Sequence, residues 1–535
     1  MTTFFLILIS AVILICVWLN NISSRIGVPT LLAFIVLGIL FANNGIIPLD
    51  FEDRELARET CTVALVFIMF YGGFGTRWES ARPIAREAVL LASLGVVLTA
   101  GLTGLFCHFA LGWSWIESML MGSVISSTDA ASVFSILRSK KLGLRNNTAP
   151  LLEMESGSND PCSYMLTAIF LSAADMQGQG MSGWGLVWMT TAQIAFGALG
   201  GFGIARLAGI ALDRFRIKEA GFDSLFILAV AIASYAVPDL VGGNGYLSAY
   251  IVGIILGNRE FSNKKALVGF FDGVTGLMQV IIFFFMLGLL VRPEMLHRAI
   301  LPALAIFVFL LLAARPLAVG AILTPLRRYS FRQQCLISFA GLRGAASIVF
   351  AIMATSGAYS PHNDIFGIVF CIVLLSISLQ GSLIPFVSRK LRMTDSGEDV
   401  MKTFNDFADD SQLQFTVVEI GPKSSWKGKT VRELGLPRGL LLALVLRNGV
   451  RIAPKGLTVL LEGDRVIIVS RAFEDSSVCF RETVLLPGNE LIGKRLNECR
   501  KSGVIILIRR NDRDIIPSGD TLLKEDDRLV IFTGD

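Results

Sequence analysis

The residues best equipped for chemistry lie together at Glu153 to Pro161, which reads E-M-E-S-G-S-N-D-P. This stretch holds three carboxylates, an amide and two hydroxyls, between the apolar runs Ala149 to Leu152 and Met165 to Ala174. Charge inside an apolar span is costly and usually functional. On a helix, Glu153, Ser156 and Asp160 fall at i, i+3 and i+7 and share a face, and Glu155 and Asn159 fall at i and i+4. Pro161 has no N–H, so the carbonyl of Gly157 loses its helical partner one turn from Asp160. A carboxylate, hydroxyls and a freed carbonyl are oxygen donors suited to a proton or a cation. The competing reading is an acidic surface or re-entrant loop.

The elements that must position this stretch are apolar. Of 535 residues, 53% are hydrophobic and 17% charged, with a mean hydropathy of +0.63. Soluble chains carry about 25% charged residues. The apolar excess ends near residue 390, so the chain reads as a membrane protein with a soluble tail. About 20 apolar residues cross a bilayer. Thirteen candidate spans are centred near Ile9, Ile35, Val66, Gly101, Ser126, Tyr164, Ala198, Val230, Val252, Val280, Leu310, Ala345 and Leu375. Met1 to Leu19 has no basic flank and no small-residue cleavage site, so it reads as a retained first helix. Basic residues gather in odd loops, as at Arg82 and Arg86, Lys140 and Arg145, Arg327 and Arg328, and after the last span at Arg389, Lys390 and Arg392. The tenth loop, with Arg292 and Arg298, is an exception. By the positive-inside rule the N-terminus is external and the C-terminus cytoplasmic. These loops account for the net charge of +5, which therefore does not argue for nucleic acid. The eight cysteines contain no C-x-x-C pair, so neither a disulfide framework nor a zinc site is indicated. His108, His297 and His362 stand far apart in the sequence. No catalytic constellation is apparent, which argues against an enzyme.

Two further spans carry polar breaks. One reads S-V-I-S-S-T-D-A-A-S, with Thr128 and Asp129 at its centre, and the other F-A-G-L-R-G-A-A-S, with Arg343 between glycines. Such interruptions predict half-helices whose exposed ends line a site. Asp129 can balance the positive N-terminal ends and Arg343 the negative C-terminal ends. Arg315, in A-A-R-P-L-A-V, is a third mid-span charge. Glu155 is its expected partner, and snorkelling to the headgroups is the alternative.

Together, T-D at Thr128–Asp129, E-S-x-x-N-D at Glu155 to Asp160, A-R-P-L-A-V around Arg315 and G-L-R-G-A at Gly341 to Ala345 resemble the monovalent cation/proton antiporters of the NhaP and sodium/proton exchanger group. The resemblance implies a polytopic α-helical fold of thirteen transmembrane helices with two inverted six-helix repeats, working as a homodimer. It implies that Asp160 is the carboxylate shared by proton and transported cation, with Ser156 assisting and Asn159, Thr128 and Asp129 at the helix crossing. It makes Glu155 and Arg315 a structural ion pair and Arg343 a helix-crossing charge. In that family an N-D doublet goes with electroneutral one-for-one exchange, so the resemblance implies it for Asn159–Asp160. One departure stands out: Tyr71 occupies M-F-Y-G-G-F, where the family often has an acid.

The expected domain plan is a membrane domain over 1–392, an acidic linker over 393–411 and two tail repeats over 412–476 and 477–535. The repeats show in I-A-P-K-G-L-T-V-L-L-E-G-D-R-V-I-I-V from Ile452 and I-I-P-S-G-D-T-L-L-K-E-D-D-R-L-V-I-F from Ile515. Each unit is expected to run strand, short helix, strand, turn, strand. They resemble the TrkA-C module, without the G-x-G-x-x-G of a nucleotide-binding partner half. That resemblance implies tail dimerisation and a small regulatory ligand such as cyclic di-AMP or another nucleotide, or else a purely structural tail. The transporter reading is a proton antiporter of a bacterial-type inner membrane, with potassium favoured over sodium by association with the tail. The alternative is a tail-gated potassium channel or uptake subunit, which should carry a T-V-G-Y-G-like filter. The nearest string is G-N-G-Y at Gly243 to Tyr246.

Overall fold

The computed structural model describes the chain except residues 1, 27–29, 41–52, 77, 141, 176–182, 215–220, 260–263, 289–292, 357–360, 396–412, 423, 438–439, 448–449, 453, 472–479, 486, 488, 490, 499–503, 511–512, 516 and 533–535. It divides into two compact units, Met1–Asp409 and Asp410–Asp535. The acidic linker residues from 396 onward lie outside the described residues.

The first unit is helical. Among the described residues, seven helices are long and apolar enough to cross a membrane, and three shorter apolar helices accompany them. Two helical runs are interrupted at the polar breaks. Trp115–Val124 gives way to Ala130–Ser139, and Phe331–Phe339 to Ala345–Thr355. Between these runs passes Thr148–Asp175, the helix that carries the acidic stretch and is called the acid helix below. It runs as one helix through Pro161, which has no N–H to offer the Gly157 carbonyl. Its small hydroxyls bond back into backbone: Ser158 Oγ donates to the Met154 carbonyl at 2.5 Å and Thr167 Oγ1 to that of Ser163 at 2.9 Å.

A separate aromatic layer joins Arg54–Gly75 to Lys264–Val280. Phe70, Tyr71 and Phe74 pack around Phe271 with ring centroids 5.4 to 6.1 Å apart. Arg54–Gly75 also meets Gly245–Gly257 closely. A Cβ at Gly253 would run into the Phe70 carbonyl, so only glycine permits this approach. A two-residue antiparallel ladder closes one edge of the unit. Gly143–Leu144, just before the acid helix, pairs with Thr394–Asp395, just after the last helix of the unit.

The second unit holds two four-stranded antiparallel sheets of like order. The first runs Leu413–Glu419, Arg465–Arg471, Leu441–Arg447, Val450–Ile452, and the second Phe480–Val484, Arg528–Phe532, Val504–Arg510, Arg513–Ile515. Two expectations need correction. The short helix is absent from the first sheet's described residues and is a single 3-10 turn, Leu496–Glu498, in the second. Thr430 and Glu433 close one turn reciprocally, and Gly435, at φ 57°, ends it. The run expected as a turn instead contributes an extra hairpin strand in each copy.

The repeated D-R doublets explain themselves. The buried Asp464 accepts from Arg447 Nε and Nη2 at 2.8 and 2.7 Å and from the Leu461 amide at 2.8 Å. Asp527 does the same with Arg510, at 2.6 Å on both nitrogens, and with the Lys524 amide at 2.8 Å. Hydrogen bonds from Arg447 hold the Asp464 carboxyl below its ordinary value of 3.8, against the opposing effect of burial. A group with a depressed folded value adds stability that is complete above its unfolded value and is lost as pH falls through the folded one. The tail unit expressed alone should therefore melt at falling temperature once the pH drops below about 3.8. Asp464→Asn should melt lower at neutral pH and show a shallower acid limb in circular dichroism. Parallel curves for the two proteins would contradict this account.

Candidate ion site

The two helix breaks meet each other directly. The Asp129 amide donates to the Leu342 carbonyl at 2.8 Å, joining one break to the other. Asp129 then caps Ala130–Ser139, accepting from the Ser132 amide at 3.2 Å and from Ser132 Oγ at 2.5 Å. Its carboxylate also packs where a side chain on Gly344 would stand, beside the start of Ala345–Thr355. Arg343 serves the opposite pole. Its Nη1 donates to the Ser126 carbonyl at 2.9 Å and to that of Ser127, just beyond the C-terminal end of Trp115–Val124. Each charge thus sits at the helix ends of opposite polarity.

The acid helix is fastened to the first break by its own polar face. Ser156 Oγ donates to the Thr128 carbonyl at 2.8 Å and accepts from the Ala130 amide at 2.9 Å. Asn159 Nδ2 donates to Thr128 Oγ1 at 2.6 Å. Asn159 Oδ1 and Asp160 Oδ1 are buried without hydrogen-bond partners among the described residues. Asp160, 7% exposed, faces a cavity of about 180 Å³. Thr128, Asp129, Glu153 and Ser156 line the same cavity, and Gln279 and Phe283 close it from the other side. A deeply buried carboxylate oxygen that faces a cavity and has no donor of its own can take a proton or a cation.

Arg315 lies against Glu155 as a buried ion pair, with side chains 2% and 1% exposed. It does not reach for the membrane surface. The helix backbone widens to a π-helical stretch over Leu310–Ala314 immediately before it. Glu155 Oε2 and Arg315 Nε and Nη1 have no hydrogen-bond partner among the described residues.

Three groups escape a reading of the sequence: Asp272, Asn244 and Tyr250. Tyr71 donates a short hydrogen bond to Asp272 of Lys264–Val280, so an acid does stand at this place but comes from another helix. Its signal was a carboxylate after two phenylalanines in an apolar run. Asn244 caps Gly245–Gly257 and donates to the Pro161 carbonyl at 2.8 Å, tying the acid helix to a distant turn. Tyr250 packs its ring on Gly157. Nothing in local pattern marks either contact.

Residues 9–390 match the family model described as "Sodium/hydrogen exchanger, transmembrane". The chain belongs to the sodium/hydrogen exchanger family. As such it is a multi-pass membrane protein and a cation/proton antiporter, not an enzyme. Residues 415–472 and 480–535 of the exchanger match the TrkA-C domain. Relatives include the K(+)/H(+) antiporter NhaP of Alkalimonas amylolytica, 32% identical over 469 residues, covering 87% of this chain and 81% of that protein. The K(+)/H(+) antiporter NhaP2 of Shewanella oneidensis is 32% identical over 484 residues, covering 88% and 81%. The fold resembles the sodium proton antiporter MjNhaP1 of Methanocaldococcus jannaschii, with a TM-score of 0.62 and 21% identity, covering 71% of this chain and 97% of that one.

The Glu155–Arg315 pair makes a stability prediction. Removing one partner strands the other charge in the interior, at about 3–5 kcal/mol. Arg315→Met in the exchanger should sharply lower the melting temperature in detergent, read by fluorescence size exclusion. Glu155→Met with Arg315→Met should recover most of that loss. A double variant no more stable than the single one would mean that the pair is not energetically coupled.

Proposed function

We propose that the protein exchanges one proton for one monovalent cation, with potassium favoured over sodium, at Asp160. The observation that carries this reading is the buried Asp160 carboxylate, with an unpartnered oxygen, on the cavity beside the crossing of the two broken helices. A bare charge there is expensive. A proton or a dehydrated cation neutralises it, so the two compete and either loaded state is neutral at this carboxylate. Asn159, an uncharged amide beside it, adds no second titrating charge, which fits electroneutral exchange. Ser156, Thr128 and Asn159 position the carboxylate and offer oxygens. Asp129 and Arg343 hold the crossing, and Glu155 with Arg315 braces the acid helix. Potassium is favoured because the relatives at 32% identity are named K(+)/H(+) antiporters.

The membrane domain is read as 1–392, with thirteen spans in two inverted repeats, an external N-terminus and a cytoplasmic tail, assembled as a homodimer. The linker, 393–411, leads to regulatory repeats at 412–476 and 477–535.

Purified protein in vesicles with an internal pH dye tests the reading. Potassium, sodium or lithium added in turn should shift internal pH regardless of membrane potential, and potassium should saturate at the lowest concentration. A signal that needs an imposed potential would instead indicate an electrogenic or conductive path. Asp160→Asn should incorporate normally and abolish exchange, and retained exchange would remove Asp160 from its role. Truncation after Met393 should preserve exchange and alter its pH response. An unaltered response would make the tail structural.

A further inference from the structure

The cavity in front of Asp160 has two unlike walls. The helix crossing and the acid helix form the polar one. The facing wall comes from Arg54–Gly75 and from the helical run that begins at Lys264. Leu65, Ile68, Met69 and Phe283 make it apolar, and Gly72 leaves it bare. Among the described residues that line this wall, Gln279 alone has a polar side chain. A Cβ on Gly72 would meet nothing within 4 Å, so the cavity stays open there. Gln279 stands in the last turn of Lys264–Val280, just before the π-helical stretch Ile281–Gly288 that brings Phe283 to the same cavity. Such stretches are rare and are frequent at functional sites.

The polar face of this helix is turned inward. Asp272, Thr275 and Gln279 fall at i, i+3 and i+7. Asp272 accepts from Tyr71 of Arg54–Gly75, Thr275 Oγ1 is buried without a hydrogen-bond partner among the described residues, and Gln279 reaches the cavity. A polar side chain in a membrane helix serves either a neighbouring helix or a transport path. Among the described residues no hydrogen bond takes up the Gln279 amide, so helix–helix bonding does not account for it.

We propose that the Gln279 side-chain oxygen contacts the monovalent cation from the wall opposite Asp160 and sets the relative affinity for potassium and sodium. The proposal rests on Asp160 as the carrier. A cation in this cavity meets oxygen donors on the crossing side and an apolar surface on the other, except at Gln279. The amide oxygen there replaces part of the lost hydration. It brings no second titrating charge, so the site stays neutral when Asp160 is loaded. An amide dipole is a weaker ligand than a carboxylate, and the field strength of the ligands is one of the levers that separate potassium from sodium. Potassium gives up its water more readily, so a neutral amide on this wall favours it.

The test is cation-driven exchange in vesicles, titrated with potassium and with sodium. Gln279→Leu should raise the half-saturating potassium concentration several-fold and change the ratio of the potassium and sodium values. Gln279→Glu should strengthen sodium more than potassium and move the ratio towards sodium. A ratio unchanged from wild type in both variants would overturn the proposal, and so would a loss in Gln279→Leu confined to maximal rate. If Gln279→Leu does not fold, an unchanged ratio in Gln279→Glu is equally decisive. Wild type and Asp160→Asn run in parallel. Absent exchange in the first or retained exchange in the second would overturn the carrier assignment instead, whatever Gln279 does.

Discussion

A helix that breaks inside a membrane exposes amide and carbonyl groups that no water reaches. The rest of the helical unit depends on meeting that constraint. Asp129 takes amide and hydroxyl donors at one helix start and lies against another, while Arg343 reaches across to the carbonyls after Val124. The direct bond from the Asp129 amide to the Leu342 carbonyl makes the two breaks one object. Only once these ends are satisfied can the acid helix lean on them through Ser156 and Asn159 and still leave an Asp160 oxygen unclaimed. The same chemistry that stabilises the crossing frees the carboxylate.

Much of this was legible in the sequence because the residues concerned are out of place there. Asp129, Glu155, Asp160, Arg315 and Arg343 are charges in apolar runs, and two opposite charges in a poor solvent require each other. The glycines around Arg343 and the hydroxyls before Asp129 mark where helices stop. What stayed hidden lacks local anomaly. Asn244 looks like any turn residue until its amide meets Pro161, and Tyr250 looks like core until Gly157 lets it in. Tyr71 drew notice as a missing acid, but nothing near it in the chain points to Asp272, which is brought there by the packing of Phe271 against Phe70 and Phe74.

The tail shows the complementary case. Its internal repeat is plain in the sequence, and the D-R doublets proved to be buried carboxylates clamped by Arg447 and Arg510. The extra hairpin strands escape the sequence pattern because Val450–Ile452 and Arg513–Ile515 are only three residues long, each with a charge inside. A turn and a short edge strand differ by a few cross-strand bonds, which local pattern does not resolve.

The ladder between Gly143–Leu144 and Thr394–Asp395 bears on how force travels through the chain. The segment leading to the tail does not simply leave the last membrane helix. It is first stitched to the loop from which the acid helix begins, and the Arg145 amide to Met393 carbonyl bond, at 3.0 Å, adds another stitch. Tension along that segment would be borne by these few bonds before it reached any membrane helix.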